Sequence, residues 1–429
     1  MASSIHEQQL TLRNAQIFDS TTGSVRHGSL TIERGRIIPS PDSPGHSDVV
    51  DCTGLTLLPG FIDCHVHVTI RHKDVVRELS EPFGLDYYVA ADNLRRLLEV
   101  GVTTVRDAGG ADRAVREAVD SGLISGPRMI ISISMLSQTG GHADMRTPSG
   151  YELRPVLPHP ARPDGIVDGP EAMRAKVREL IRAGADVIKV ASSGGVLSPS
   201  DDPRYPNFQT DELEMAVAEA GQCGRPVMAH ALAADGIRNA VSAGVRSIEH
   251  GVFLDQATAD QMCQRGVWLV PTLLATVSLE ESRAASRQGP ATDLDRKLVY
   301  VSRAHRTAFQ LAVRAGVPVA MGTDAVSIPM GSNLRELQLM QEYGGLSPSE
   351  VLQAATLSGA KLLGLQDKVG SLDFGKAADV VGIVGDPFDF RDITTRIVFV
   401  IKGGDVVAGS LPAGAPEPDL AAIERASYR

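Results

Sequence analysis

Several features that would place a chain in a particular class are missing from these 429 residues. No apolar run approaches the ~20 residues that a membrane-spanning helix needs. No stripe of basic side chains appears, and 42 Lys plus Arg face 52 Asp plus Glu, for a net charge of −10. That balance disfavours a nucleic-acid surface. The N-terminus carries neither the basic nor the apolar segment of a secretory signal. We therefore expect a soluble protein with no membrane and no nucleic-acid partner.

Cysteine is also scarce. The four thiols are dispersed and form no CxxC pair: they are Cys52, Cys64, Cys223 and Cys263. Such spacing is typical of reduced thiols rather than of a disulfide framework. The expected location is the cytoplasm.

The chain does contain an apolar run, 57–64, that ends in His65-Val66-His67. In an extended strand, residues i and i+2 face the same way, so both imidazoles can reach one metal ion. Further potential ligands follow, each just past its own short apolar run: Lys189, His230, His250 and Asp324. Imidazole and carboxylate are suitable donors for Zn²⁺ and similar ions. The arrangement predicts a metallohydrolase.

In this order the residues resemble the metal-dependent amidohydrolase superfamily. The surrounding sequences at 187–195, 229–231 and 248–251 are similar to one branch of it. That branch contains Xaa-Pro dipeptidases (prolidases), metallo-carboxypeptidases for basic residues and ochratoxin-hydrolysing amidases. The resemblance runs from about Leu10 to Val407, nearly the whole chain.

The predicted fold class is α/β, a (β/α)₈ TIM barrel at residues 59–369 with a small appended module. Strand-like segments alternate with helical ones, which favours a parallel sheet. The strands are predicted at 60–66, 103–107, 128–134, 186–190, 226–230, 247–250, 268–271 and 318–322, and helices at 92–100, 171–183, 211–223 and 235–243. The ligands then meet at the C-terminal mouth of the barrel, beneath loops at 137–170 and 198–209.

Both ends of the chain have a β-rich texture of their own. Short segments separated by turn residues occur at 10–17, 29–38, 49–58, 378–384 and 397–404. They predict one small β-sandwich built from residues 1–58 plus 370–429, and the resemblance implies the same divided module.

The resemblance also implies a binuclear site. His65, His67 and Asp324 would hold one divalent ion, most simply Zn²⁺, and His230 and His250 a second. Lys189 would react with CO₂ to give an N6-carboxylysine that bridges both ions together with a hydroxide. Burial in an apolar strand lowers the pKa of a lysine and favours the neutral amine that this reaction needs.

Three further roles concern catalysis and substrate. Asp324 is placed to take a proton from the hydroxide and pass it to the leaving amine, although it could merely cap the following helix. His142, by resemblance, would stabilise the oxyanion, although a single histidine is as easily structural. Arg204 and Tyr205 are candidates to bind a substrate carboxylate.

These residues predict hydrolysis of an amide in a dipeptide or N-acyl amino acid: Xaa-Pro, a C-terminal basic residue, or an ochratoxin-like amide. An alternative is a cyclic amide, an aryl-urea or a carbamate, because the same metals attack any carbonyl. A remote alternative is a non-catalytic scaffold of the same fold. The partner is thus a small-molecule or dipeptide substrate, and the resemblance implies a homo-oligomer.

Overall fold

The computed structural model describes residues 9–39, 47–71, 75–146, 149–153, 156–196, 201–286, 292–325 and 330–412. The strands are β1 (Gln9–Asp19), β2 (Ser24–Glu33), β3 (Arg36–Ile38), β4 (Ser47–Asp51), β5 (Leu55–Pro59), β6 (Phe61–Val66), β7 (Val102–Asp107), β8 (Arg128–Ile131), β9 (Met135–Leu136), β10 (Ile188–Ala191), β11 (Val227–Ala231), β12 (Ser247–His250), β13 (Trp268–Val270), β14 (Val380–Val384), β15 (Ile397–Lys402) and β16 (Asp405–Gly409). The helices are α1 (Val75–Ser80), α2 (Leu85–Glu99), α3 (Arg113–Asp120), α4 (Pro170–Ala183), α5 (Thr210–Gly221), α6 (Ala234–Ala243), α7 (Gln256–Arg265), α8 (Leu273–Ser286), α9 (Asp293–Ala315), α10 (Arg335–Gly344), α11 (Pro348–Gln353) and α12 (Gly359–Leu363). A π-helical turn, Ala354–Ser358, joins the last two, and a short 3-10 helix spans Ile393–Arg396.

Strands from both ends of the chain pair in one mixed sheet, in the order β16-β15-β14-β5-β1-β2-β3 with β4 beside β1. The junction is β5, in which Leu57 pairs in parallel with Ile17 and antiparallel with Gly382. A hydrophobic cluster that includes Val380 and Phe399 packs on this sheet. All five β-rich segments predicted at the chain ends overlap strands of this sheet, and the sandwich and its domain boundaries stay predictions.

The middle of the chain forms an α/β fold with two parallel sheets, β6-β7-β8 and β9-β10-β11-β12-β13. Helices such as α4, α5 and α6 connect successive strands. All residues of β10, β11 and β12 are buried, which explains their continuous apolar runs, because the strands of parallel sheets are buried on both faces. Seven of the eight predicted strand segments overlap β6, β7, β8, β10, β11, β12 and β13.

The prediction of an eighth strand at 318–322 is wrong, because this segment does not form a regular strand. Val319 makes an isolated parallel bridge to β13, and Ala325 makes another to β6. Between them the chain leaves extended geometry, because Asp324 adopts a left-handed conformation with φ of 50°. The segment nevertheless contacts both parallel sheets.

The helix ends follow local rules. Pro170 occupies the first turn of α4, where no hydrogen bond from its nitrogen is required, and Gly184 ends that helix with φ of 104°. Thr292 and Asp295 form a capping box at the start of α9. In the part of the chain that the structure describes, no helix combines the length and the apolar character needed to cross a bilayer.

Candidate active site

One cavity of about 270 Å³ opens at the C-terminal ends of the parallel strands. It is lined by seven of the residues that the sequence singles out: His65, His67, His142, Lys189, His230, His250 and Asp324. Carboxyl ends of parallel strands share one edge, so side chains distant in sequence meet there. The structure thus brings the whole predicted ligand set and the predicted oxyanion donor together.

The tightest group is formed by His65, His67 and Asp324, whose potential ligand atoms all lie within 4.8 Å of one another. The Asp324 Oδ1 atom is 3.7 Å from Nε2 of His65 and 3.4 Å from Nε2 of His67. The opposite ring nitrogens are engaged elsewhere. Nδ1 of His65 is 2.7 Å from Glu249 Oε2, and Nδ1 of His67 is 2.7 Å from the Gly109 carbonyl oxygen. Each Nδ1 therefore carries the proton, and each Nε2 faces its neighbours with a lone pair.

A buried ionic network supports His65 from behind. Glu249 is fully buried, and its Oε1 accepts from Arg106 Nη2 at 2.8 Å and from the Ser247 hydroxyl at 2.5 Å. Arg106, also buried, donates its Nε proton to the Cys64 carbonyl at 2.7 Å. The Glu249 carboxylate thus orients the His65 imidazole through Oε2, while Arg106 balances its charge at Oε1.

The lysine on β10 is unusual in its surroundings. Lys189 is 1% exposed, and its Nζ has no hydrogen-bond partner among the described residues. Burial lowers its pKa to about 8, against the opposing influence of Glu249 and Asp324. An ammonium ion in that position is poorly solvated, so the fraction of neutral amine is larger than in a solvent-exposed lysine.

His230 and His250 form a second pair of imidazoles, with ring centroids 4.7 Å apart. Burial holds the pKa of each well below its usual range, so both rings are neutral donors. Nε2 of His230 lies 3.3 Å from the Gly194 carbonyl, and Nδ1 of His250 lies 2.7 Å from the Thr272 hydroxyl. One nitrogen of each ring therefore remains for another partner.

Backbone strain is concentrated at this edge of the sheets. His250, Thr272 and Asp324 have φ values of 70°, 51° and 50°. Left-handed geometry in residues other than glycine costs about 1–3 kcal/mol each and persists where the surroundings enforce it. The conformation at these three positions is set by packing around the site.

His142 stacks on His230, with ring centroids 4.1 Å apart and an interplanar angle of 11°. Its Nδ1 lies 3.6 Å from the Asp201 carboxylate. Glycine is required opposite this ring, because a Cβ on Gly195 would lie 2.1 Å from Cε1 of His142. The Gly194-Gly195 pair after β10 therefore makes room for His142.

Arg204 and Tyr205, which were predicted to bind a substrate carboxylate, are not among the described residues that line the cavity. Arg204 is exposed, and its guanidinium pairs with Asp202 at 2.6 Å. Tyr205 is 65% exposed. Arg204 is held away from the cavity by the turn at 202–205, in which its backbone N–H and its guanidinium both donate hydrogen bonds to the Asp202 carboxylate. The structure does not bring these two residues to the site.

Several functional neighbours were not found from the sequence. Asp63 is buried and accepts hydrogen bonds from the backbone and hydroxyl of Thr323 and from Asn333, which hold the turn before Asp324. The period of two that selects His65 and His67 also marks Asp63, so the same rule could have identified it. Glu249 carries no such signal, because His65 and Arg106, which it binds, lie on other strands.

Apolar side chains form most of the described wall outside the ligand cluster. From the segments after β6 and β9 come Ile70, Met145, Val156, Pro158, Pro163 and Ile166. From the ends of β10, β11 and β12 and from α8 and α9 come Val196, Leu232, Val252, Leu279 and Leu298. The predicted loop at 137–170 therefore does contribute to the mouth.

Comparison with known proteins identifies the family. The sequence model of the amidohydrolase family matches residues 56–410. The chain belongs to the amidohydrolase family. This amidohydrolase is 34% identical over 371 residues to the ochratoxinase of Aspergillus niger, an alignment that covers 82% of the chain and 76% of its relative. It is therefore a hydrolase, and the branch inferred from the sequence is confirmed.

Solved structures agree with this assignment. A prolidase in complex with N-methylphosphonate-L-proline has a TM-score of 0.85 at 32% identity, covering 94% of this amidohydrolase and 100% of that chain. A Xaa-Pro dipeptidase with methionine bound in its active site has a TM-score of 0.84 at 30% identity, with the same coverage. The A. niger ochratoxinase structure has a TM-score of 0.82 at 30% identity, covering 94% and 96%.

Amidohydrolases generally use divalent metal ions, and the donor set fits such ions. Neutral imidazoles and a carboxylate are the ligands that these ions prefer. The group of His65, His67 and Asp324 offers three such atoms in one place. The orphaned Nζ of Lys189 in the same cavity is the kind of buried polar atom that a bound group would satisfy.

Proposed function

We propose that this amidohydrolase cleaves the amide C–N bond of a small molecule, a dipeptide or an N-acyl amino acid, at a binuclear metal site. The observation that carries the proposal is the meeting of a compact His-His-Asp group with a buried, unpartnered lysine amine in one cavity. The relatives supply the substrate class, since they include an ochratoxinase and a Xaa-Pro dipeptidase.

The proposed ligands divide into two sets. His65, His67 and Asp324 would hold one ion, His230 and His250 would hold the other, and Lys189, carboxylated by CO₂ to N6-carboxylysine, would be a ligand to both. Zn²⁺ is the proposed metal. When bound, such ions lower the pKa of water and polarise the scissile carbonyl.

The chain's own residues then handle the protons and the oxyanion. Asp324 has a quarter of its side chain exposed and faces two imidazoles, so its carboxylate can accept a proton from the attacking water and release it to the leaving nitrogen. His142 is the proposed hydrogen-bond donor to the carbonyl oxygen, and the Asp201 carboxylate, 3.6 Å from its Nδ1, orients the ring. Apolar side chains form most of the described wall beside both residues.

A closed barrel is part of this proposal. The segment at 318–325 bridges β13 at Val319 and β6 at Ala325. At the other junction the Asp186 backbone N–H donates to the Ile131 carbonyl at 2.8 Å, which connects β8 to the start of β10. We infer that the two parallel sheets form one (β/α)₈ barrel over residues 59–369, with the mixed sheet as a second unit built from both ends of the chain.

A second candidate is a cyclic amide, an aryl-urea or a carbamate as substrate. The observation that favours it is the position of Arg204, which is paired with Asp202 outside the cavity. A substrate without a carboxylate would not need that cation. Esterification of the carboxylate separates the two candidates: lost activity supports the N-acyl amino acid, and retained activity supports the second candidate.

The test combines metal analysis with hydrolysis on one sample of zinc- and bicarbonate-treated protein. The substrates are Xaa-Pro dipeptides, dipeptides that end in Lys or Arg, and ochratoxin A. We expect about two metal ions per chain, as the proposed ligand set requires, and hydrolysis of one of these classes. Lys189→Ala and Asp324→Asn should abolish hydrolysis with unchanged circular dichroism, and short carboxylic acids should partly rescue Lys189→Ala. An active Asp324→Asn enzyme would refute the proton-transfer role, and a metal-free active enzyme would refute the proposal.

A further inference from the structure

A buried carboxyl group on α10 binds the start of α8, the helix that follows Thr272. Glu336, in the first turn of α10, is 0% exposed. Its Oε1 accepts the backbone N–H of Leu273 at 2.9 Å, and its Oε2 accepts that of Leu274 at 2.7 Å. These are the first two residues of α8. The first N–H groups of a helix have no acceptor within the helix, so a residue on another helix supplies it here.

Thr272 stands where a side chain of its own type commonly provides such an acceptor. It directly precedes α8, at the position where threonine hydroxyls accept an N–H group of the first turn. Its hydroxyl lies instead 2.7 Å from Nδ1 of His250. Its φ of 51° also differs from the extended geometry usual at that position. Among the described residues, the hydrogen bonds that the Thr272 side chain does not make to α8 are thus made by Glu336.

The peptide group that follows Thr272 connects the two contacts. Its N–H belongs to Leu273 and donates to Glu336, so this hydrogen bond restrains the orientation of the peptide and with it the backbone of Thr272. A left-handed conformation is unfavourable for a β-branched residue and persists only where the surroundings enforce it. Thr272 is itself 0% exposed. Glu336 is therefore one of the contacts that hold this turn.

We propose that Glu336 is a positioning residue for His250, a role that rests on the proposed metal site. Glu336 holds the turn at Thr272 so that the Thr272 hydroxyl accepts the Nδ1 proton of His250. Nε2 of His250 then keeps its lone pair for a metal ion in the cavity that this ring lines. Metal-binding histidines generally donate their other ring N–H to such a partner, which fixes the tautomer and the ring orientation. Without Glu336, the Thr272 hydroxyl turns to the free N–H groups of α8, and His250 loses its partner.

The tautomer of His250 tests this contact in metal-free protein. Nitrogen NMR shifts distinguish a protonated Nδ1 from a protonated Nε2, and the His250 signals are those that disappear in His250→Gln. We expect a protonated Nδ1 in the parent protein and a mixture of tautomers in Glu336→Gln. The reason is that the glutamine NH₂ group faces a backbone N–H and leaves it without an acceptor. A protonated Nε2 in the parent, or an unchanged tautomer in Glu336→Gln, overturns the proposal.

Zinc binding tests the consequence in a double-mutant cycle. Thr272→Val replaces the hydroxyl by a methyl group and should weaken the binding of one of the two proposed ions by about 10–100-fold. Glu336→Gln should weaken it by about tenfold or more. The double variant should bind zinc within about twofold of Thr272→Val, because both replacements act through one contact. Competition with a chromogenic chelator measures the three affinities. Fully additive losses overturn the route through Thr272.

A matched control separates positioning from the capping of a helix. Asp255 caps α7 by accepting the Thr258 N–H at 2.8 Å, and it is not among the described residues that line the cavity. Asp255→Ala should lower the free energy of unfolding, as loss of a helix cap does, and leave the zinc affinity unchanged, whereas Glu336→Gln should lower both. If Glu336→Gln does not fold, Glu336→Met takes its place. A folded Glu336 variant with the zinc affinity of the parent overturns the proposal.

Failure of this proposal is distinguishable from failure of the proposed function. The loss of hydrolysis in Lys189→Ala tests the reaction and does not depend on Glu336. The tautomers are measured without metal and without substrate. They therefore decide the role of Glu336 even if the protein hydrolyses none of the tested substrates or binds no zinc, and the parent tautomer requires no folded variant.

Discussion

At the scale of single residues, the site depends on which ring nitrogen of each histidine is occupied. His65 and His67 both present Nε2 to Asp324, because Glu249 and the Gly109 carbonyl accept hydrogen bonds from their Nδ1 atoms. His250 is oriented in the same way by Thr272. The chemistry therefore rests as much on these neighbours as on the proposed ligands themselves.

Replacement of Glu249 should test this dependence. In Glu249→Gln the buried Arg106 loses its counter-charge and His65 loses its carboxylate acceptor. We expect metal affinity to fall by about 10–100-fold and the free energy of unfolding to fall by about 3–5 kcal/mol. Metal titration and chemical denaturation measure the two effects. The control is Glu171→Gln, whose side chain is 80% exposed; an unchanged metal affinity in Glu249→Gln would contradict the expectation.

His142 is separable from the metal ligands by its expected kinetics. His142→Ala removes a donor to the carbonyl oxygen and leaves the rings of His65, His67 and His250 in place. We expect kcat to fall by about 10²–10³, with the metal content unchanged. Steady-state kinetics and metal analysis on the same preparation check both. A variant that loses metal in proportion to activity would indicate a structural role instead.

At the scale of elements, loops after the strands decide where site residues point. Gly194 and Gly195 follow β10 and bring the backbone close to His142 and His230. The loop at 156–166 is anchored by buried Arg162, whose Nη1 donates to Asp86 of α2 at 2.9 Å. Neither contact follows from local sequence, since each joins segments that are far apart in the chain.

Gly195→Ala should misplace His142 without disturbing the fold. The added Cβ would clash with the imidazole, while the backbone at Gly195 is not left-handed and accepts alanine. We expect kcat to fall by about tenfold or more, because small misplacements at an active site are costly, with metal content and melting temperature near those of the parent. The matched control is Gly221→Ala on α5, where nothing lies near the added Cβ. Full activity in Gly195→Ala would refute the positioning of His142 by this turn.

At the scale of the whole molecule, the proposed metal site connects strands of both parallel sheets. The ligands come from β6, β10, β11 and β12 and from the segment after Val319. Bound ions would therefore oppose separation of these strands, and stability should depend on metal.

Chelation should lower the melting temperature, and zinc should restore it. A ligand at 100 times its dissociation constant adds about 2.7 kcal/mol to the free energy of unfolding. Differential scanning calorimetry with and without chelator measures the change. Lys189→Ala should respond much less than the parent protein, because it lacks the proposed bridge. Equal responses of the two proteins would contradict the role of Lys189 in binding metal.

The sequence by itself determined the family, the strand positions and the predicted ligands, because short-range patterns carry that information. Buried parallel strands require continuous apolar runs, and ligands must follow them, so His65, His67, Lys189, His230 and His250 stand out. Asp63 obeys the same period and could have been included. The prediction of a regular eighth strand at 318–322 was wrong, because the pairing partners of this segment decide its geometry and its composition does not.

Only the tertiary structure decided which side chains share the cavity. Arg204 was proposed because a guanidinium suits a substrate carboxylate, yet its guanidinium pairs with Asp202 outside the cavity. Glu249, Thr272 and the apolar wall of the cavity acquire their roles from contacts between separate strands and helices. The physical reason is that hydrogen bonding and burial depend on distance in space, which a linear pattern predicts only within one element.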